Sequence, residues 1–574
     1  MNVLGSRRHL GVLVGAVTAT LLAFAAHYEV LSYWFTGPDT LTLIETSRIT
    51  DRPSAIDTLT APLMHGTNFV RLTGLFYRPI ASLSYAIDYA IWGLDPFGYH
   101  LTDLFVHATA AALVVALLAE QLGTARPKGT EGKQGRRALE LVAAAVAGGL
   151  FAIHPLTAEV VPVPARRHDV LATLFILTAL WALARGLRTA RPGPKLGAFA
   201  LSALAYALAL GSKEIGALFG PLAIAWVALD TYGRSSRLRE TVRRAILVGI
   251  GYGALAISYL ALRLSLLGGI GGYVGPFGGV KNTPISVIVS QYFLSLFYPV
   301  DVLNLGPGVT YVPATIYVVL AVWIGLLGLG IVGAGGLRPF LRGKVGRLAI
   351  FYSVWLALPL PLIVRVGEYS PWTGYIALVP VAALTGLVLT VAGRGLYRAL
   401  TELTGSSERD ETRIQDIEAV RAGLSAGGSL AAFVLVAALL VSLVAVSPLA
   451  QPYDGWEHAS DVTRKALTEA EPRADDLPPN AVLKVEGLPN VATLGPPTEK
   501  ARVKSLRYFW AHTVRSWIRL RNPESRLSTF TYGRTVPVGE KPIAVRTRIQ
   551  KRPNAPPVVR FQYDSRASNR TGER

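Results

Sequence analysis

Three kinds of residue are scarce in this chain, and the most complete absence is that of cysteine. Without cysteine the protein has no disulfide bonds, no thiol nucleophile and no cysteine metal ligands. The same absence leaves the redox compartment undetermined, because neither oxidised nor reduced thiols can report on it. We see no internal repeat of 20 to 50 residues, which argues against a solenoid.

Charged residues are also scarce. They make up 16% of the chain, whereas hydrophobic residues make up 51%. Soluble domains carry about 25% charged residues. A chain this poor in charge, with many long apolar runs, is typical of a membrane protein that crosses the bilayer several times.

Acidic residues are fewer than basic ones, and the formal net charge is +20. A basic chain often binds nucleic acid, but here Lys and Arg lie mostly in short loops between apolar runs. This distribution follows the positive-inside rule of membrane proteins, so we expect a lipid bilayer and no nucleic acid as partner.

The apolar runs predict about eleven membrane-spanning helices. They lie near 10–34, 98–122, 139–160, 169–186, 196–211, 215–230, 244–268, 311–334, 346–364, 372–392 and 427–448. The segments 80–94 and 285–299 are shorter and less apolar, and we interpret them as interfacial or re-entrant helices. The motif AFAA at 23–26 resembles a signal-peptide cleavage site, but the run around it is long enough to span.

Four basic linkers fall on one side of the predicted bundle, together with Arg7 and Arg8. The linkers are TARPKGTEGKQGRR, RGLRTARPGPK, GRSSRLRETVRR and GLRPFLRGKVGR. This side is predicted to be cytoplasmic, which places the N-terminus inside and the C-terminus outside. The protein is therefore expected in the cell membrane.

The residues after about 449 read as a separate extracytoplasmic domain. AVLKVEG and PVVRFQYD alternate like strands, whereas KSLRYFWAHTVRSWIRL has helical spacing. We predict a transmembrane domain over 1–448 and a small α+β domain over 449–574 with a disordered end.

Polar groups gather at the outer ends of the helices. Asp39 follows the first span in the sequence Gly-Pro-Asp, where it could act as a general base or simply end the helix. Arg167 and Asp169 could pair across a turn. Lys213 needs an anion, either Glu214 or a phosphate.

Three motifs carry a resemblance to a known family. YRPIASLSYAIDYAIWGLDPFGYHLTDLFVH, FAIHPLTAEVVPVPARRHDVLA and LGSKEIGALFGPLAIAWVALD occur in that order. They resemble the membrane half of the transmembrane and TPR-containing O-mannosyltransferases, which are GT-C fold glycosyltransferases. The resemblance covers about residues 30–230. It continues more weakly to EYSPWTGY, where Tyr369 fits the pattern but Arg365 is offset, and the TPR repeats are missing.

The resemblance implies an inverting transfer of a mannose-like hexose to a hydroxyl of a protein or glycan at the extracytoplasmic face. The donor is expected to be a polyprenyl-phosphate sugar, because nucleotide sugars are not available outside the cytoplasm. Asp39 is implied as the catalytic base, with Arg78, Arg167 and Lys213 binding the donor phosphate. The supporting residues are His100, His154, Glu159, Asp169, Glu214, Arg365 and Tyr369.

The family has paired acids in its first outer loop, and here Asp39 stands without the second one. The sequence therefore gives no support for a divalent metal or another cofactor. The alternatives are a transporter or flippase of lipid-linked sugars, which would place charges near the bilayer midplane, and a non-catalytic relative.

Overall fold

The structure of the protein is a computed structural model. The structure describes residues 3–67, 69–70, 74–123, 133–235, 237–273, 283–297, 337–405, 447–450, 454–475, 482–493, 505–507, 511–525, 528–537, 544–550 and 558–564, with isolated positions in 321–328 and 430–445.

Within these residues, nine helical segments are long and apolar enough to cross a membrane. They are Arg8–Ser32, Pro96–Leu122, Ala138–Glu159, Pro164–Gly186, Pro192–Ser212, Glu214–Ser235, Leu238–Leu267, Lys344–Val366 and Pro371–Gly393. Each coincides with an apolar run of the sequence, which confirms the helical, polytopic membrane architecture. The two further runs, near 311–334 and 427–448, lie largely outside the described residues.

The described α-helices of the membrane part follow the chain in this order: α1 (Val3–His27), α2 (Thr40–Ser47), α3 (Arg52–Thr60), α4 (Pro79–Trp92), α5 (Pro96–Leu122), α6 (Lys133–Ile153), α7 (Arg167–Gly186), α8 (Pro192–Ser212), α9 (Phe219–Ser235), α10 (Leu238–Leu267), α11 (Ile285–Phe297), α12 (Leu337–Arg342), α13 (Lys344–Ala357), α14 (Leu360–Val366) and α15 (Leu378–Gly405). Short 3-10 helices precede α7, α9 and α15, at Pro164–Arg166, Glu214–Leu218 and Pro371–Ala377, and another covers Pro155–Glu159.

Small residues allow the central helices to approach closely. Ala19 of α1, Ala111 of α5 and Ala147 of α6 are all fully or almost fully buried in one core. A Cβ atom on Gly148 would lie 2.2 Å from a methyl group of Val115. In a lipid environment such contacts are a main source of helix association, because burial of apolar surface there adds little.

The two short segments expected at the interface differ from each other. α4 exposes Ile87 and Ile91, as an interfacial helix would. α11 instead buries most of its length, including Val287 and Tyr292. It behaves as a short helix enclosed by protein, which is the environment that a re-entrant segment requires.

The C-terminal region contains helices and a sheet. The helices are α16 (Asp454–Asp475) and α17 (Ala511–Arg521), and the strands are β1 (Val482–Thr493), β2 (Ser505–Arg507), β3 (Ser528–Pro537), β4 (Ala544–Gln550) and β5 (Val558–Asp564). β1 pairs in parallel with β3 and β5 and antiparallel with β2, and β4 pairs antiparallel with β5. The register aligns Val482 with Ser528 and with Val558.

The helix expected over residues 504–520 begins later than predicted. Residues 505–507 form β2 and pair with the end of β1, so the helix starts at Ala511. Local spacing could not reveal this, because the pairing with β1 depends on residues outside the window.

Helices α16 and α17 rest on the loop that follows the first spanning segment. The backbone N–H of Trp34 donates to the Ser460 hydroxyl of α16 at 2.7 Å. The hydroxyls of Thr42 on α2 and Ser516 on α17 are 2.8 Å apart. The rings of Trp34 and Trp517 meet edge-on at 5.0 Å. The C-terminal helices are thus part of the wall around this loop.

Charged residues separate toward the two ends of the bundle. At one end Arg8 and Lys344 donate to carbonyls at the end of α5, and Arg188 pairs with Glu120. The other end holds Asp39, Asp169 and the loops considered next.

Candidate active site

Asp39 immediately precedes α2, but its side chain does not cap the helix. Gly37 has a φ of 80°, and a Cβ there would lie 2.5 Å from Val163, so the turn before Asp39 requires glycine. The Asp39 carboxylate makes no capping hydrogen bond. It accepts instead from His512 Nε2 at 2.9 Å, and its side chain remains one-third exposed. A role as a simple helix-ending residue does not account for this contact.

Helix α17 holds the Asp39 loop from the C-terminal side. Beside the His512 contact, the Thr513 hydroxyl donates to the Pro38 carbonyl at 2.7 Å. Two consecutive residues of α17 therefore bind two consecutive residues of the loop, which fixes the direction of the carboxylate.

Arg166 stands at the entrance to α7. Its guanidinium pairs with the Glu159 carboxylate at 3.0 Å and lies 4.1 Å from the centre of the Trp372 ring and 5.3 Å from that of Trp456. The charges of Asp39 and Asp169 also act on it. Stacking between aromatic rings suits the planar guanidinium and leaves its edge available for an anion.

Lys213 and Asp169 form a second pair. The ammonium lies 2.5 Å from Asp169 Oδ1, and His168 approaches Oδ2 of the same carboxylate at 3.3 Å. Burial lowers the pKa of Lys213, while the neighbouring Asp169 acts in the opposite direction. The side chain keeps 13% of its surface exposed.

Glu214 is not the partner of Lys213. Its carboxylate accepts from Arg78 at 2.8 and 3.1 Å through one oxygen and from Arg263 at 2.9 Å through the other. The 3-10 helix Glu214–Leu218 directs the two neighbouring side chains to different partners. Burial alone would lower the pKa of Arg78, but pairing with Glu214 leaves it raised.

Arg167 also pairs differently from the sequence expectation. Its side chain is completely buried and contacts Asp103 at 2.5 Å and Asp88 at 2.6 Å, not Asp169. It also donates to the Tyr99 carbonyl at 3.0 Å. The group joins α4, α5 and α7. Arg167 has no exposed side-chain surface and two carboxylate partners, so no accessible edge of its guanidinium faces solvent.

The two histidines expected to support the site are buried and hydrogen-bonded to the backbone. His100 Nε2 lies 3.0 Å from the Trp34 carbonyl, and His154 Nε2 lies 3.1 Å from that of Leu296. These contacts hold the loop after the first spanning segment and the end of α11 in place. The structure brings neither histidine to Asp39.

Of the last two expected residues, Tyr369 lies in the interior and Arg365 on the surface. The Tyr369 hydroxyl shares a hydrogen bond of 2.5 Å with Ser295 of α11. Arg365 lies exposed in the last turn of α14. Tyr369 thus anchors the loop that carries Trp372.

Sequence reasoning missed four participants. Arg166 lies within a recognised motif, but its aromatic partners Trp372 and Trp456 are far away in the chain. Tyr273 lies within electrostatic range of Arg78, Asp39 and Asp169. Asp88 and His512 carry no local signal, because their partners are 79 and 473 residues away respectively.

Acid side chains that could bind a metal are dispersed among the cations. In the described part of the chain, no three His, Asp or Glu residues converge on a point where an ion could sit. Each acid of the site that is named above has a basic partner.

Comparisons with known proteins indicate the class of protein that this chain resembles. No family model matches the chain. The curated relatives with matching sequence are protein O-mannosyl-transferases, which confirms the resemblance read from the motifs.

Three of these relatives illustrate how much of the chain the sequence similarity covers. Tmtc3 of Drosophila melanogaster is 31% identical over 113 residues, which are 19% of this chain and 12% of the relative. TMTC2 of Mus musculus is 33% identical over 108 residues, 18% of this chain and 10% of the relative. Tmtc1 of Drosophila melanogaster is 28% identical over 176 residues, 29% of this chain and 18% of the relative. The matches therefore span less than a fifth of each relative's length.

A solved structure is also similar over a longer stretch. The crystal structure of ArnT from Cupriavidus metallidurans bound to undecaprenyl phosphate has a TM-score of 0.41 and 14% sequence identity. The similarity covers 88% of this chain and 84% of ArnT.

Proposed function

We propose that this protein is a membrane glycosyltransferase of the GT-C type. It moves a mannose-like hexose from a polyprenyl-phosphate donor to a hydroxyl group at the extracytoplasmic face, and a serine or threonine of a protein is the acceptor that the names of the relatives favour. The observation that carries the proposal is the position of Asp39. Its partly exposed carboxylate lies at the same end of the bundle as three cations with little but measurable exposure.

Asp39 acts as the general base in this reaction. The acceptor hydroxyl gives its proton to the Asp39 carboxylate, and its oxygen forms a bond to the anomeric carbon. The bond between that carbon and the phosphate oxygen breaks on the opposite side, so the configuration inverts. A single carboxylate suffices because the phosphate leaves as an anion and requires no general acid, unlike an ordinary glycoside leaving group.

The cations receive the charge that develops on the phosphate. Lys213, Arg78 and Arg166 are suited to this role because each keeps between 9% and 15% of its side chain exposed. Their carboxylate partners hold them in position before the donor arrives, so little reorganisation accompanies binding. Arg166 replaces Arg167 in this assignment.

His512 is a positioning residue for Asp39. Its hydrogen bond to Oδ1 directs the carboxylate without occupying both oxygens. The supporting residues do not touch the substrate in this proposal. They hold neighbouring segments in place: His100 contacts the loop at Trp34, and His154 and Tyr369 contact α11. The exposed apolar residues of α4 provide a surface for the polyprenyl chain.

The depth of the charges favours transfer over transport. Asp39, Lys213 and Arg78 all lie at or outside the ends of the spanning segments in the described part of the chain. A transporter of lipid-linked sugars would need polar groups and broken helices near the midplane.

Transfer from a polyprenyl-phosphate mannose to a serine-containing peptide, measured in proteoliposomes, tests the function. We expect Asp39→Asn to lower the rate about 10²–10⁴-fold while donor binding is retained. Asp230→Asn is the matched control, because Asp230 pairs with Arg234 at the opposite end of the bundle. Equal rates in Asp39→Asn and wild type would remove the assignment of the base.

A further inference from the structure

A polar pocket of about 250 Å³ lies beside Asp39, between the first outer loop and α17. Its lining residues are Glu45, Thr46, Arg48, Thr50, Ser54, Asp57, His65, Gly66, Arg515 and Arg519. We propose that this pocket binds an acidic side chain of the acceptor polypeptide. The proposal rests on the glycosyltransferase function and specifies its substrate class: peptides with Asp or Glu two or three residues from the modified hydroxyl.

The pocket is placed by the packing of α2 against α17. Asp39 contacts His512, Thr42 contacts Ser516, and Glu45 contacts Arg519 at 3.5 Å. The two helices therefore run side by side in the same direction. A rise of 1.5 Å per residue puts Glu45 about 9 Å along the helix from Asp39. An extended peptide covers this distance in about three residues.

The charge of the pocket favours an anion. Three arginines face two carboxylates among its lining residues, with histidine taken as neutral. Arg519 pairs with Glu45, whereas Arg48 and Arg515 donate to the backbone carbonyls of Arg519 and Gly66. In the described part of the chain, neither Arg48 nor Arg515 has a carboxylate partner.

Two donors beside the pocket remain unused. The Nε atoms of Arg515 and Arg519 are buried and have no hydrogen-bond acceptor among the residues that the structure describes. Buried donors without an acceptor are costly, and guanidinium groups match the two oxygens of a carboxylate especially well. These buried Nε atoms are closed to a ligand, so a carboxylate in the pocket would pair with the accessible part of the lining guanidinium groups, and Arg519 keeps 31% of its side chain exposed.

The residue types that line the pocket, together with its volume, indicate which kind of ligand it can hold. The lining includes the His65 imidazole but no Phe, Tyr or Trp ring and no aliphatic side chain, so it offers little surface for a lipid chain. Its volume is below the usual range for whole small-molecule ligands, about 300–1,000 Å³, but is enough for a side chain. An acidic peptide segment fits both properties.

The test measures peptide binding by the full-length protein in nanodiscs without any donor sugar. One labelled peptide carries Ser followed three residues later by Asp, and its match carries Asn in place of Asp. We expect the acidic peptide to bind at least about tenfold more tightly by fluorescence anisotropy, the effect of one charge-assisted hydrogen bond. The preference should shrink as salt is raised.

The variants assign the preference to the pocket. Arg515→Gln and Arg48→Gln should each reduce it to below about threefold, and a melting temperature close to wild type checks their folding. Arg464→Gln on α16 should leave it unchanged, because Arg464 pairs with Asp461 on the exposed face of that helix. Asp39→Asn should also keep the preference, so loss of catalysis and loss of peptide selection are separate results.

Two outcomes would overturn the proposal. Equal affinity of wild type for the acidic and neutral peptides would do so, and this comparison needs no variant. Displacement of the acidic peptide by an oligosaccharide of uronic acids at lower concentration than by unlabelled peptide would assign the pocket to a glycan instead.

Discussion

At the scale of single residues, the site depends on how each carboxylate is oriented. Asp39, Asp169 and Glu214 lie at one end of the bundle. Asp39 pairs with a histidine, whereas Asp169 and Glu214 each pair with a lysine or an arginine. An acid paired with a fixed cation is a poor proton acceptor, because the cation stabilises the charged form. This difference distinguishes the proposed base from the acids that position cations.

His512 supplies the first prediction at this scale. His512→Ala should lower kcat about tenfold while the KM for the donor stays close to wild type, because the hydrogen bond orients Asp39 and does not touch the phosphate. His512→Gln keeps a side-chain donor and should recover part of the loss. A purely structural role would instead lower the amount of folded protein in both variants equally.

Lys213 supplies a second, pH-dependent prediction. Because burial lowers its pKa against the opposing effect of Asp169, with Arg78 adding to the lowering and Glu214 opposing it, its ammonium loses its proton at lower pH than an ordinary lysine. Donor binding should therefore weaken as the pH rises through this lowered value. Lys213→Arg should bind the donor without this alkaline decline, since arginine stays charged. Isothermal titration with a polyprenyl-phosphate sugar across alkaline pH measures both, and identical profiles would contradict the role of Lys213.

At the scale of elements, one buried cation joins three helices. Arg167 at the start of α7 lies between Asp88 of α4 and Asp103 of α5. Arg167→Gln would leave two carboxylates in the interior without a counter-charge. Removing one partner of a buried ion pair costs about 3–5 kcal/mol. We expect a lowered thermal midpoint in detergent, and no such change for Arg243→Gln, whose exposed side chain pairs with Glu240 on α10.

The spanning helices could be predicted from the sequence, whereas the pairing of their charged side chains could not. The nine described spans follow directly from apolar runs, because a bilayer imposes length and hydrophobicity on every crossing helix. Pairing is different. Glu214 adjoins Lys213 in the chain, yet the turn sends the two side chains to Arg78 and Asp169. Sequence proximity gave the correct neighbourhood and the incorrect partner.

The C-terminal helix was equally hard to foresee. Its helical spacing was visible, but nothing local indicates that His512 reaches Asp39 across 473 residues. Long-range contacts of this kind depend on the packing of α17 against α2, and packing is decided only when the whole fold is assembled.

At the scale of the whole molecule, the absence of cysteine makes the orientation directly measurable. Thr60 is the last residue of α3 and lies near the proposed site, whereas Ala190 lies in a loop at the opposite end of the bundle. Each can be replaced by a single cysteine. A membrane-impermeant maleimide should label Thr60→Cys in intact cells and Ala190→Cys only after permeabilisation. The reverse pattern would place the proposed site on the cytoplasmic side, where nucleotide sugars are available.

The position of α17 has a consequence for how the protein folds during its synthesis. Domains form in the order in which the ribosome delivers them, so α2 is in place long before the chain reaches residue 512. Until then the Asp39 carboxylate lacks the histidine that orients it, and the arginine pocket lacks two of its three arginines. A nascent or prematurely terminated chain therefore carries the membrane helices without a finished site. On the proposed function, only molecules that extend through α17 would be competent to modify their substrates.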